Sequence, residues 1–304
     1  MNILITGGAG FIGHEAAKHL SGHHKVSIID FHEKVSKIFN DDLSCYGFDI
    51  SKDSWIKKLP KDFDVIIHCA AQTGGYYSLL DPQKDCMWNA VGTANVVSFS
   101  KKCKSLQKVL YLSSMAVYGE GRNKDENSDV NPISFYGCSK LAGEFYVKTM
   151  TLQTGIPHVI LRLWNTYGFG QDLKNKHQGM LSIYLSQLLE NKRVKVTGSL
   201  QRVRSFVHVD DVVNAITLCM KSEKALNQTF NVSTEESCSS GDLIEMIASS
   251  LGTQAVIEEH PGYVGDQIIS TGISKKLKAI GWIPKTSLYD GIQEFTKLVG
   301  GISK

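Results

Sequence analysis

The sequence predicts an α/β fold built on a doubly wound parallel sheet. Over the first half, short apolar runs alternate with amphipathic stretches, the pattern of consecutive βαβ units. The runs are apolar throughout, as strands covered by helices on both faces require. A chain of 304 residues, 42% hydrophobic and 21% charged, is long enough to bury such a sheet and carry a second, smaller lobe.

The first predicted strand, Asn2–Thr6, runs into Thr6-Gly7-Gly8-Ala9-Gly10-Phe11-Ile12-Gly13, which opens a helix over Gly10–Leu20. Gly7 permits the tight turn, Gly10 lets backbone approach a pyrophosphate, and Gly13 lets the helix pack close on the strand. The helix N-terminus faces the negative charge. This is a Rossmann-type dinucleotide site, with Gly7, Gly10, Phe11, Ile12 and Gly13 as candidate cofactor contacts. The second strand, Val26–Asp30, ends in a carboxylate placed to accept hydrogen bonds from ribose hydroxyls. Asp30 is alternatively a cap or turn residue. A carboxylate there repels a 2′-phosphate, and Phe31, His32 and Glu33 follow it with no arginine, so the predicted cofactor is NAD rather than NADP.

Further strands are predicted at Val65–Cys69, Val109–Ser113 and His158–Leu163, with helices over Pro82–Lys101 and Tyr136–Gln153. Right-handed crossovers between them put the ligand crevice outside the strands' C-terminal ends. Beyond Asn165 the spacing predicts helices over Gly179–Glu190, Val209–Met220, Gly241–Leu251 and near Leu288–Leu298, with strands Val194–Thr197 and Thr229–Val232. The expected division is a dinucleotide-binding domain over 1–165, with returns around 200–232, and a C-terminal α/β substrate lobe over 166–304.

Composition narrows the partners. A net charge of +3 is too small for a broad nucleic-acid or anionic-membrane footprint. The seven cysteines are widely spaced with no C-x-x-C and no zinc-type histidine spacing, so no metal is expected and the thiols read as reduced. Met1 leads straight into Ile3-Leu4-Ile5 without a basic region or cleavage site, and no apolar run spans a bilayer, which reads as cytoplasmic.

Tyr136 and Lys140 stand four apart on a predicted helix, so both project from one face. A free tyrosine titrates near pH 10, and each unit of depression takes about 1.36 kcal/mol of differential stabilisation. A neighbouring ammonium and a positive nicotinamide ring are expected to supply that bias. The preceding predicted strand ends in two adjacent and equally polar residues, Ser113 and Ser114. Alone, Y-x-x-x-K is also the pattern of a solvated helix face.

The segments TGGAGFIG, FDIS at Asp49, HCAAQTG at His68, NAVGT at Asn89, YLSSMAVYG at Tyr111, YGCSK at Tyr136, RLWNTYGFG at Arg162, RSFVHVDDV at Arg204 and SKKLKAIGWIP at Ser274 occur in order along nearly the whole chain. Together they resemble the extended short-chain dehydrogenase/reductase family, in its nucleotide-sugar epimerase/dehydratase branch. The resemblance implies that Asp49 and Ile50 border the adenine, that Ala70 and Ala71 line the cofactor, and that Asn89 braces that wall. Lys140 would hold the nicotinamide ribose. Ser114 takes the hydroxyl-binding position, and Tyr136 removes a proton from a sugar C4 hydroxyl while NAD takes hydride. Dehydratases and decarboxylases of the family place acids just after the catalytic Ser/Thr. Here Met115 and Ala116 stand there.

The implied reaction is 4-epimerisation of a nucleotide-diphosphate sugar, UDP-hexose type, with 4-keto reduction or 4-dehydrogenation as the alternative. A non-catalytic nucleotide-sensing or RNA-binding relative is a remoter one. Asn165 and Arg204 are implied to grip the diphosphate, a task suited to bidentate arginine. Arg202 is an alternative, and a solvated surface pair is the other reading of the two arginines. His208 reads as structural, Asp210 and Asp211 as a helix cap and first-turn charge.

Two departures stand out. The family's R-P-G-D reads Tyr263-Val264-Gly265-Asp266, with no arginine anywhere after Arg204, and the arginine of AAQAGVRYS in uronate 4-epimerases is Tyr76. Tyr76 and Tyr77 contact the sugar or pack a loop, and Trp164 shapes the pocket or is a buried structural residue. A homodimer through paired helices, including the Tyr136 helix, is also implied.

Overall fold

A computed structural model describes residues 1–38 and 42–302. In chain order its elements are β1 (Asn2–Thr6), α1 (Phe11–Ser21), β2 (Lys25–Asp30), α2 (His32–Val35), β3 (Leu43–Gly47), β4 (Val65–His68), α3 (Gly75–Leu80), α4 (Pro82–Cys86) and α5 (Gly92–Ser100). Then come β5 (Lys108–Ser114), β6 (Gly121–Lys124), α6 (Phe135–Thr154), β7 (His158–Leu163), β8 (Asn165–Tyr167), α7 (Met180–Asn191), β9 (Arg193–Thr197), β10 (Val203–His208) and α8 (Val209–Lys221). The chain closes with β11 (Gln228–Val232), β12 (Ser237–Ser239), α9 (Ser240–Ser250), β13 (Val256–His260), β14 (Ile269–Gly272), α10 (Lys275–Ala279) and α11 (Leu288–Ile302).

The main sheet has the order β11-β7-β5-β4-β1-β2-β3, and every pairing in it is parallel. Successive side chains of a strand point to opposite faces. Ile3 and Ile5 therefore pack with Ala16 and Leu20 of α1 and Val212 and Ile216 of α8, while Leu4 joins Phe99 of α5 and Val147 of α6. Strand order turns at β1/β4, the switch point that opens a crevice at the carboxyl ends.

The second lobe is built on a smaller sheet, β12-β10-β14-β6 with β8 paired to β10, and on the two-stranded pair β13-β9. Helices α7, α9 and α11 bury Leu185, Leu243, Ile247, Ile292 and Phe295 against Val194, Val196 and Phe206.

The helix expected over Pro82–Lys101 is continuous, with a π-turn at Met87–Val91 set between α4 and α5. Two other readings need correction. Strand β3 was not expected, because Leu-Ser-Cys-Tyr-Gly is a short, half-exposed edge with little apolar signal. The cap of α8 is His208, whose Nδ1 accepts from the Asp210 N–H at 3.3 Å. Asp211 lies in the first turn of α8 as expected, and it is also buried and accepts from the backbone N–H groups of Lys285 (2.8 Å) and Thr286 (3.1 Å), tying down the C-terminal segment.

Candidate active site

A crevice of about 1180 Å³ runs along the carboxyl ends of β1, β2, β4, β5 and β7 and is covered by the second lobe. At one end lies the glycine turn. Gly7 has φ +70°, a left-handed conformation that favours glycine, and its N–H donates to Ile29 O at 2.7 Å. A Cβ on Gly13 would stand 2.2 Å from Gly7 O, so any side chain there forces α1 off β1. The N-terminal turn of α1 has no acidic residue and no side-chain cap, which leaves its N–H groups directed at the crevice for an anion.

Asp30 takes the turn role that is its alternative reading. Its carboxylate accepts from the N–H groups of Ala9 (3.1 Å) and Phe31 (2.8 Å), bracing the turn, and it also lines the crevice. Lys34, 4.0 Å from Asp30, lines it too and was not weighed from sequence.

Phe11, Ile12, Asp49, Ile50, Ala70 and Ala71 complete this end of the crevice. Asn89 sits on the π-turn, accepts from Gln72 N–H at 2.7 Å and donates to Gln72 O at 3.0 Å, so it braces the loop after β4. A cradle that a Cβ would fill, an anion-ready helix start and a carboxylate at the second strand's end fit a dinucleotide.

The middle of the crevice holds Ser114, Tyr136 and Lys140 together. Ser114 ends β5, and its Oγ accepts from Ala116 N–H at 3.2 Å. Ser134 caps α6 by accepting from Gly137 N–H at 3.1 Å, which fixes the turn that presents Tyr136. Ser113 points the other way: its hydroxyl donates to Glu144 at 2.6 Å, and Arg162 clamps that carboxylate with two bonds of 2.8 and 2.7 Å. Both serines line the crevice, but the one hydrogen-bonded to Tyr136 is Ser114.

Burial pushes the Tyr136 hydroxyl up to about 12, against a hydrogen bond with Ser114. Lys140 is 2% exposed, and burial brings its ammonium down to about 8. Its Nζ stands 4.4 Å from the centre of the Tyr111 ring. The expected bias from the ammonium does not set Tyr136 in the free protein, where desolvation dominates.

The far end is formed by the second lobe. Arg202 and Arg204 are both buried, so the solvated-pair alternative is excluded. Arg202 bonds Asp266, and Arg204 bonds Val203 O (3.0 Å), Ile268 O (3.2 Å), Gln267 O and Asp266 (3.3 Å). Burial pulls Arg204 down to about 10, so it stays charged at neutral pH. Asp266, from the segment that departs from the R-P-G-D pattern, thus holds both arginines at the crevice wall.

Asn165 donates to Ser205 O at 2.9 Å and lines the same wall. Tyr76 of α3 stacks on His177 with centroids 4.6 Å apart and meets Tyr263 edge-on at 6.0 Å, joining α3 to the second lobe. Trp164 is buried against Tyr118, yet it also lines the crevice, and its indole N–H has no partner among the described residues. No group of residues able to hold a metal ion occurs among the described residues, and no helix there is long and apolar enough to cross a membrane.

A doubly wound sheet with a dinucleotide cradle opening onto a Ser/Tyr/Lys cluster defines a nucleotide-dependent enzyme of the short-chain type. The profile of the NAD dependent epimerase/dehydratase family matches residues 3–233, and the chain belongs to that family. It is therefore an enzyme of the NAD-dependent epimerase and reductase type. A putative UDP-glucose 4-epimerase of Methanocaldococcus jannaschii is 34% identical over 298 residues, 96% of each chain.

Among solved structures, the UDP-glucose 4-epimerase of Thermotoga maritima with UDP-glucose superposes with a TM-score of 0.93 at 28% identity, covering 100% of both chains. The UDP-glucuronic acid 4-epimerase of Bacillus cereus, in complex with UDP-glucuronic acid and NAD, gives 0.91 at 26% identity over 99% of this chain and 100% of that one.

Proposed function

We propose that this chain is an NAD-dependent 4-epimerase of UDP-hexose type that works through a transient 4-keto sugar. The observation that carries the reading is the convergence of Ser114, Tyr136 and Lys140 in one crevice, with Met115 and Ala116 next in sequence. An acid at either position would serve elimination or decarboxylation, and neither offers one. The 4-epimerases among its relatives and structural neighbours support the same reading.

Gly7, Gly10, Phe11, Ile12 and Gly13 hold the cofactor pyrophosphate, Asp30 its adenosine ribose, Asp49, Ile50, Ala70 and Ala71 its adenine and flank, and Lys140 with Tyr136 its nicotinamide half. Bound NAD supplies a hydride acceptor and donor at the sugar C4. Tyr136 takes the proton from the C4 hydroxyl and later returns it, so the chain ends each turnover as it began. Ser114 holds that hydroxyl. Lys140 keeps a positive charge beside the reacting oxygen, which favours the tyrosinate.

Arg204 and Asn165, with Arg202, hold the diphosphate, and Tyr76 closes over the sugar. In this reading residues 1–165 with the return near 200–232 carry the cofactor, and the rest of 166–304 covers the substrate. Phe145, Tyr146 and Leu152 of α6 are exposed at 59%, 47% and 87%, which supports a homodimer through that helix. The protein works in the cytoplasm without nucleic acid or membrane as partner.

Purified protein supplied with UDP-glucose, UDP-galactose or UDP-N-acetylglucosamine and substoichiometric NAD is expected to interconvert C4 epimers over many turnovers. A requirement for stoichiometric NADH or NADPH would instead establish 4-keto reduction.

A further inference from the structure

Lys140 is buried, and a charge that has left water needs an opposite one nearby. The ionisable groups that face it come from every element packed around it: His68 of β4 and Cys69 just after it, Tyr111 on β5, Asp85 on α4, and Tyr136 and Glu144 on α6. Most carry no usable negative charge. His68 is held neutral between Thr6 (2.7 Å) and Thr93 (2.9 Å), its basicity cut to about 3 by burial. Burial raises the Cys69 thiol to about 12 and the Tyr111 phenol well above its ordinary value. Glu144 is already engaged: Arg162 clamps it with two bonds and Lys148 adds a third contact at 3.7 Å.

Asp85 differs from all of these. It is 1% exposed, it has no salt bridge within 4.0 Å among the described residues, and its Oδ2 has no hydrogen-bond partner there. Its Oδ1 accepts from Asn89 Nδ2 at 3.1 Å. The same amide donates to Ser139 Oγ at 2.9 Å, and Ser139, next to Lys140 in the chain, donates to Tyr136 O at 3.0 Å. The π-turn at Met87–Val91 turns Asn89 into this position, a use typical of π-bulges beside functional sites.

We infer that Asp85 is a positioning residue of this site: with Asn89 and Ser139 it fixes the first turn of α6, and it supplies the unneutralised buried negative charge that faces Lys140 and Tyr136. The inference rests on the roles proposed above for that pair. Burial raises the Asp85 carboxyl, while Ser139 and the Lys140 charge oppose this. Removing the charge makes Lys140 release its proton more readily and Tyr136 release its own more readily as well, because an anion favours the protonated form of both.

The test is the pH profile of kcat/KM for epimerisation. The D85N variant keeps the bond to Asn89 and loses only the charge, so both limbs are expected to move to lower pH together, by roughly half a unit or more. The D85E variant, which keeps the charge, is expected to retain the parent limbs. Reduced rate in D85N with unmoved limbs overturns the inference, since that is what a purely structural residue gives.

If D85N does not fold, the wild-type protein decides by carbon NMR. The Asp85 carboxyl resonance, assigned by its loss in D85E, is expected to shift at the pH where Lys140 titrates and to lose that step in K140M. A carboxyl signal indifferent to Lys140 overturns it. Activity surviving in Y136F would defeat the underlying reading instead, so the two failures are separable.

Discussion

At the scale of single residues, the proposed chemistry reduces to a tyrosine that burial makes a poor acid and a lysine that burial makes a weaker base. The Y136F variant is expected to lose roughly 10²–10⁴-fold in kcat, the usual weight of a positioned proton carrier, while still binding NAD. Steady-state rates and cofactor retention on a sizing column check this. Lys140 holds its proton below about 8 and loses it above, so activity that depends on its charge declines as pH rises through that value in the free enzyme.

These residues were legible because helical spacing alone places Tyr136 and Lys140 together. The resemblance placed the role on Ser114, but strand spacing alone could not separate it from Ser113, since adjacent strand residues point to opposite sides and only the fold shows which side faces Glu144. Asp85, Asp211 and Asp266 were unreadable for a related reason. Asp211 and Asp266 act across 62 to 75 positions of sequence, and Asp85 meets its partners only because a π-turn intervenes.

At the scale of elements, the parallel strands and the glycine turn stood out because fully buried strands are continuous apolar runs. The Gly13→Ala variant places a methyl against Gly7 O. It is expected to lower stability by about 3 kcal/mol and to abolish dinucleotide binding, as measured by denaturant unfolding and cofactor fluorescence. His68 links β4 to β1 and α5 as a neutral imidazole.

Its folded value, about 3, lies below the unfolded value near 6.5, so the unfolded chain takes up a proton that the folded chain refuses. Stability is thus intact above about pH 6.5 and falls as pH drops toward 3, by about 1.4 kcal/mol per unit from this residue. Unfolding midpoints of wild type and H68Q between pH 7 and 4 are expected to converge as pH falls. The π-turn inside the helix over 82–101 left no trace in the apolar spacing. The short strands of the second sheet, such as β8 and β12, gain their order from partners far along the chain.

At the scale of the whole molecule, the two lobes meet over the crevice through the Tyr76, His177 and Tyr263 rings, with Asp266 anchoring both arginines of the far wall. Beneath the site, the Glu144–Arg162 pair joins α6 to β7 in the core. Replacing Arg162 by Met leaves a buried carboxylate without its clamp and is expected to lower stability by about 3–5 kcal/mol in a denaturation experiment.

In the proposed mechanism one C4 centre is oxidised and reduced within a single binding event. A UDP-hexose carrying deuterium at C4 reads this out. The label is expected to stay at C4 in the epimerised product, with none passing to nucleotide in solution. Label lost to free reduced nucleotide, or no C4 epimer from UDP-glucose, UDP-galactose or UDP-N-acetylglucosamine, would contradict it.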